Sequence, residues 1–171
     1  MRRDKTMKKI LVAIAALLFS VRVMAQQQLA FPFQGGKDVM AKFFKDSLSV
    51  SNDIIQRKAG GMVIFKFTAD EQGRISKIII YYADDPILAE PAIEALKKSN
   101  RKWVIPDREK FHDFVLPFSF SFTAPPADDP VLQKEVFNYY RTRKPLATDN
   151  QVPLDMATLL PTVRINYDVT E

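Results

Sequence analysis

The chain has 171 residues, 25 of them Lys or Arg and 20 Asp or Glu, with one histidine and no cysteine. Without cysteine there are no disulfides and no thiolate ligands, and a lone histidine makes a structural zinc site untenable. Six of the basic residues (Arg2, Arg3, Lys5, Lys8, Lys9, Arg22) and one acid (Asp4) lie in the first 25 positions, which leaves 19 of each sign in the remainder and removes the charge argument for a nucleic-acid partner.

Residues 1–9 are basic, 10–20 form an unbroken apolar run, and Val23-Met24-Ala25 has the small-x-small form of a cleavage site. This pattern predicts a secretory signal peptide over 1–25, a mature start at Gln26, and a periplasmic location in a Gram-negative-type envelope. Met7 followed by Lys8-Lys9 and the apolar run is a complete signal by itself. A membrane-spanning helix needs about 20 apolar residues. The run here has eleven, so the mature protein is expected to carry no membrane anchor.

Residues 26–29 read as a polar tether and 31–36 as a break. Val39, Met40, Phe43 and Phe44 recur at helical spacing over 37–47. A polar connection, 49–58, carries Ile54 and Ile55. Over 62–69, Val63, Phe65, Phe67 and Ala69 share one face of a half-buried strand. Asp70-Glu71-Gln72-Gly73 is a turn signal, and 74–82 is a second strand, making a hairpin. Residues 90–99 read as a helix with Ala92, Ile93, Ala95 and Leu96 apolar. Over 114–122, Phe114, Leu116, Phe118, Phe120 and Phe122 alternate with smaller residues, a third strand. Residues 124–130 are a Pro-rich linker, and 131–143 a short helix with Leu132, Val136 and Tyr139 or Tyr140 on one side. Residues 145–153 are loop-like, and 163–169 alternate as one more strand.

The sequence shows no catalytic constellation, no metal-ligand set and no cofactor motif, and the chain is read as a non-enzyme. His112 reads as a surface histidine in a turn. The pairs Asp84-Asp85 and Asp128-Asp129 lie beside prolines and read as solvated turn residues. Ser47, Ser49 and Ser51 have no base in a recognisable arrangement. Gly35-Gly36 and Gly60-Gly61 lack phosphate-loop spacing. Trp103 is expected to pack at the end of the helix. The basic cluster Lys97, Lys98, Arg101 and Lys102 suits a helix C-terminus.

The run Gly61-Met62-Val63-Ile64-Phe65-Lys66-Phe67-Thr68-Ala69-Asp70-Glu71-Gln72-Gly73-Arg74-Ile75-Ser76 resembles the opening of the TonB C-terminal domain, with its Gly-x-Val-x-x-x-Phe-x-x-Asp-x-x-Gly-x-Ile/Val-Ser pattern. Asp85-Pro86 with Leu88, Lys102-Trp103 with Pro106, and Leu116-Pro117-Phe118-x-Phe120 follow in the family's order. Phe31-Pro32 and Gly35-Gly36 resemble its upstream part. The resemblance covers about residues 31–122. Phe33-Gln34 interrupts the usual Phe-Pro-Gly-Gly, Val104-Ile105 lengthens Trp-x-Pro, and Ala89 stands where the family often has a capping Asp. Pro91 then fits only if the helix starts just before it. The spanning anchor and the long Pro-rich spacer of energy transducers are not recognised here.

The expected fold is α+β: a three-stranded antiparallel sheet (62–69, 74–82, 114–122) with two helices on one face, preceded by the signal peptide. The domain spans 26–123, and a C-terminal extension, 124–171, follows. The resemblance implies a periplasmic protein-interaction module that binds an extended peptide, such as a segment of an outer-membrane receptor or another envelope protein, by strand addition. The implied partner edge is Val115, Leu116, Pro117, Phe118, Ser119, Phe120 and Ser121, with Pro117 leaving a gap in any ladder. The alternative is a structural or assembly protein whose sheet edge is covered by its own tail or by a homodimer partner. The outer face, with Met62, Ile64, Ile79, Tyr81 and Val115, is too apolar to stay wet. The expectation is that 163–169 adds to the third strand's edge, while Leu132, Val136 and Leu160 help cover that outer face.

Overall fold

A computed structural model describes residues 31–123, 129–149 and 153–168. The expected leader, cleavage site and tether lie outside the described residues, as do Asp128, most of the Pro-rich linker, and Val169.

β1 (Gly61–Asp70) buries Val63, Phe65, Phe67 and Ala69 in alternation. At its end the Asp70 carboxylate accepts from the backbone N–H of Gln72 and of Arg74, which closes the turn. Gly73 sits there at φ 71°, and an added Cβ would collide with the Trp103 carbonyl oxygen. β2 (Ile75–Ala83) returns antiparallel, with Ile78 opposite Phe67 and Ile80 opposite Phe65. β3 (Phe111–Phe122) takes the other edge of β1, also antiparallel, setting Phe114, Leu116 and Phe118 opposite Phe67, Phe65 and Val63. These side chains share one face, and α1 (Gly36–Ser47) packs on it with the Phe44 ring edge-on to Phe118 at 5.3 Å. Trp103 closes one end of this core, 4.5 Å from the Phe67 ring and donating from Nε1 to Ser99 Oγ at 3.0 Å.

Several expectations need correction. The polar connection contains a helix, α2 (Asn52–Arg57), which buries Ile54. α3 (Pro86–Lys98) starts at Pro86, not at Glu90. Asp85 caps it by accepting from the Ile87 N–H at 3.1 Å, and Pro86 occupies the first turn, where no N–H is required. Ala89 is therefore not at the cap, and Pro91 lies inside the helix, with no N–H to offer the Ile87 carbonyl.

The class α+β holds, but the sheet has six strands and not three. The additional strands all come from the tail. After β3 the chain forms α4 (Pro130–Thr142), capped by Asp129, which accepts from the Leu132 N–H at 3.0 Å. β4 (Leu146–Ala147) pairs antiparallel with β2 at Tyr82 and Ala83. β5 (Thr158–Leu159) and β6 (Val163–Tyr167) pair parallel with β3. The tail thus starts on one edge of the sheet and ends on the other.

Between those edges Pro153 lies against the face opposite the helices. Lys66 alternates with Phe65 and Phe67 on the central strand, so it points to that outer face, and its Nζ donates to the Pro153 carbonyl at 2.6 Å. That contact covers Lys66, while Met62, Ile64, Ile79 and Tyr81 on the same face stay half-buried. α4 lies beside α2 instead, with Tyr139 as its buried residue. Leu160 is buried in the same core as Phe118, and does not sit on the outer face as expected.

Phe67→Ala or Phe118→Ala should lower stability by about 3–5 kcal/mol in urea unfolding, since both rings are fully enclosed. Phe111→Ala, at a position 61% exposed, should change it by less than about 0.5 kcal/mol. Equal, small losses at all three positions would overturn the face assignment.

Candidate functional site: the third-strand edge and its tail

The edge of β3 that faces away from β1 is the candidate site. The Val115 carbonyl accepts from the Leu160 N–H at 2.8 Å, and the Thr123 N–H donates to the Tyr167 carbonyl at 3.2 Å. Backbone polar groups alternate between the two sides of a strand, so Pro117, Ser119 and Ser121 present theirs to the same edge. Pro117 has no N–H there, and the ladder breaks at that point. Val115 pairs with Leu159, and pairing resumes with Phe118 opposite Val163. Leu116 and Pro117 therefore face Leu160, Pro161 and Thr162, one residue more on the tail side. A bulge is the natural outcome where two prolines leave the ladder without donors.

Beyond the break β6 is held by its side chains. Val163, Ile165 and Tyr167 point into the core and are 2%, 6% and 8% exposed, while Arg164 and Asn166 point out. The Tyr167 hydroxyl donates to the Ala59 carbonyl just past α2, and burial pushes its phenol above the ordinary range. At the rim, Ser121 Oγ donates to Asn166 Oδ1 at 2.6 Å and Thr123 Oγ1 to Asp168 Oδ1 at 2.8 Å.

The seven expected partner-edge residues are thus brought together along one strand, but with a strand of the same chain already beside them. Leu116, Phe118 and Phe120 belong to the core, Val115 and Pro117 are buried on the outer side, and Ser119 is half-buried. Ser121 is exposed and bonded to the tail.

Polar contacts tie the tail to the rest at points that the sequence did not mark. Lys66, 7% exposed, lies 2.8 Å from Asp113 Oδ2, and Thr68 Oγ1 donates to Asp113 Oδ1 at 2.6 Å. His112 is not a free surface histidine. Its side chain is 9% exposed, with Nδ1 2.6 Å from Glu109 Oε2 and Nε2 2.7 Å from the Thr158 hydroxyl of β5. Asp84 and Asp85 are buried, not solvated. Asp84 accepts from the Met62 N–H at 2.6 Å and the Tyr82 hydroxyl at 2.8 Å, and pairs with Arg143 of the tail at 3.1 Å. A Cβ at Gly61 would come within 2.6 Å of that carboxylate, so this approach requires glycine. Only the adjacency of two acids to Pro86 hinted at these roles.

Among the described residues, no three His, Cys, Asp or Glu side chains are grouped to hold a metal ion, and no helix is long and apolar enough to cross a membrane.

Burial opposes ionisation of Asp113, but the Lys66 ammonium and the Thr68 hydroxyl outweigh it and hold its pKa below the ordinary carboxylate value. A depressed folded-state pKa stabilises the fold above the unfolded value, and that contribution fades as pH falls through the folded one. Stability should therefore decline from about pH 4 downward. Asp113→Asn leaves the buried ammonium with the Pro153 carbonyl alone and should cost on the order of 1–3 kcal/mol at pH 7. The variant's urea midpoint should also lose part of the wild-type acid limb, and an unchanged midpoint and pH profile would refute this role for the pair.

No family model matches the chain, no curated protein matches it, and no solved structure matches it.

Proposed function

We propose that this chain is an exported, non-enzymatic interaction module of the cell envelope that is self-complemented at β3. Its own tail fills the edge at which the resembled TonB C-terminal domain would take an extended peptide. The observation that carries this reading is β6. It lies in register on Phe118–Phe122 with every second side chain buried in the core.

Magnitudes separate this reading from capture of an external peptide at the same edge. Stripping Val163, Ile165 and Tyr167 from the core forfeits about 1.5–3 kcal/mol for each, roughly 5–9 kcal/mol together. An incoming peptide would then bind a thousandfold or more weaker than to an open edge. The second reading, in which a partner displaces the tail, is favoured only by the broken ladder at Pro117 and by the shortness of β5, whose Leu159 is 71% exposed.

A labelled synthetic peptide copying residues 162–168 tests the choice. The full chain should not take it up at micromolar concentration, and the amides of Val163, Ile165 and Tyr167, which face β3, should exchange with solvent as slowly as those of β1. Ile165→Ala should cost about 2–5 kcal/mol, because β6 is part of the core. Ready exchange of the peptide into the β3 edge, or near-neutral behaviour of Ile165→Ala, would favour a displaceable tail instead.

A further inference from the structure

We propose that the free edge of β2, residues 76–80, captures an extended, glutamate-bearing segment of a partner protein by antiparallel strand addition. This rests on the reading of the chain as an interaction module, and it uses the edge opposite the one that the tail closes.

The three strands β2, β1 and β3 have two lateral edges, and the tail treats them unequally. On β3 it covers both ends of the strand. On β2 it pairs only with Tyr82 and Ala83, adds one further bond from the Thr148 N–H to the Tyr81 carbonyl at 3.2 Å, and then leaves for the outer face. At the other end the Ile75 N–H donates to Asn100 Oδ1 at 2.9 Å. Between those two points, 76–80 pairs with no strand on its outer side among the described residues. Ile78, Ile79 and Ile80 are half-buried there, and Lys77 is the one charged residue of β2. An unpaired, apolar edge is a template for another strand. β4 already begins an antiparallel ladder on it, so an added segment would continue an interface that exists.

The chemistry of the occupant follows from what flanks the edge. A cleft of about 370 Å³ lies beside it, with Ile75 and Ile78 supplying apolar surface and Lys77, Lys97 and Asn100 the polar groups. Lys77 makes no ion pair among the described residues, and Lys97 pairs only with the exposed Glu94, three residues away on its own helix. An apolar surface with ammonium groups at its margin suits a side chain with an aliphatic stem and an anionic tip, that is, glutamate. A second copy of the chain fits less well, because antiparallel self-pairing would bring each copy's Lys77 close to the other's.

The test uses the full chain and two fluorescein-labelled peptides, one alternating Val and Glu, the other alternating Val and Lys, followed by fluorescence polarisation and hydrogen exchange. The acidic probe should bind saturably and at least tenfold tighter than the basic one. It should protect amides within 76–80 while those of β3 and β6 stay unchanged. Lys77→Glu, at an exposed position, should keep the urea midpoint and weaken the acidic probe at least tenfold. Absence of saturable binding, equal affinity for both probes, or indifference to Lys77→Glu would overturn the β2-edge assignment and leave the self-complemented reading standing. Protection along 115–121 with deprotection of Val163–Tyr167 would overturn both. A dimer in sedimentation with 76–80 protected before any peptide is added would make a second copy the occupant and overturn the acidic-segment proposal.

Discussion

A strand that carries large apolar groups on both faces and backbone polar groups along both edges has to be enclosed on four sides, and β3 is such a strand. Its inner face presents Phe114, Leu116, Phe118 and Phe120, all buried, and its outer face Val115 and Pro117, also buried. β1 satisfies one edge and the tail the other. α1 lies on the inner face, and Pro153 lies over the outer face of the central strand. A hairpin, two helices and one strand would leave the second edge of β3 and the outer face to solvent, which is why residues 129–149 and 153–168 belong to the fold. The tail is held partly by burial and partly by fixed polar contacts, from Lys66 on the outer face, Asp84 just past β2 and Ala59 just past α2.

The parts legible in the sequence are those with a sustained period. β1, β3 and β6 alternate over enough residues to be read, and α1 and α4 repeat at helical spacing. β4 and β5 are two residues each, and no periodicity exists in two residues. Pro91 invites a helix start at Glu90, whereas Asp85 and Pro86 form a complete start signal ahead of it. The candidate edge was legible, including its break, because Pro117 lacks a donor whatever lies beside it. Lys66 was not. A lysine on the wet side of a strand reads as solvated, and only the return of distant chain at Pro153 and Asp113 makes it a buried cation. The same holds for His112, whose second partner, Thr158, is 46 positions away.

The division of labour between the two edges follows from what each leaves unsatisfied. At β3 the exposed hazard is large: a long strand without a charged residue from Phe114 to Phe122. Covering it with apolar side chains makes the cover part of the core, and a cover that is part of the core is a poor gate, because opening it exposes the core. Closing β3 this way favours stability over an adjustable edge. β2 is milder. It is largely half-buried, carries Lys77 near its start, and is pinned at one end by Asn100 and at the other by the start of β4. Backbone groups between the pins can stay hydrated without unfolding anything, and can be taken up by another strand at no cost to the core. The proposed strand addition therefore falls at an edge whose backbone groups can be taken up without exposing the core.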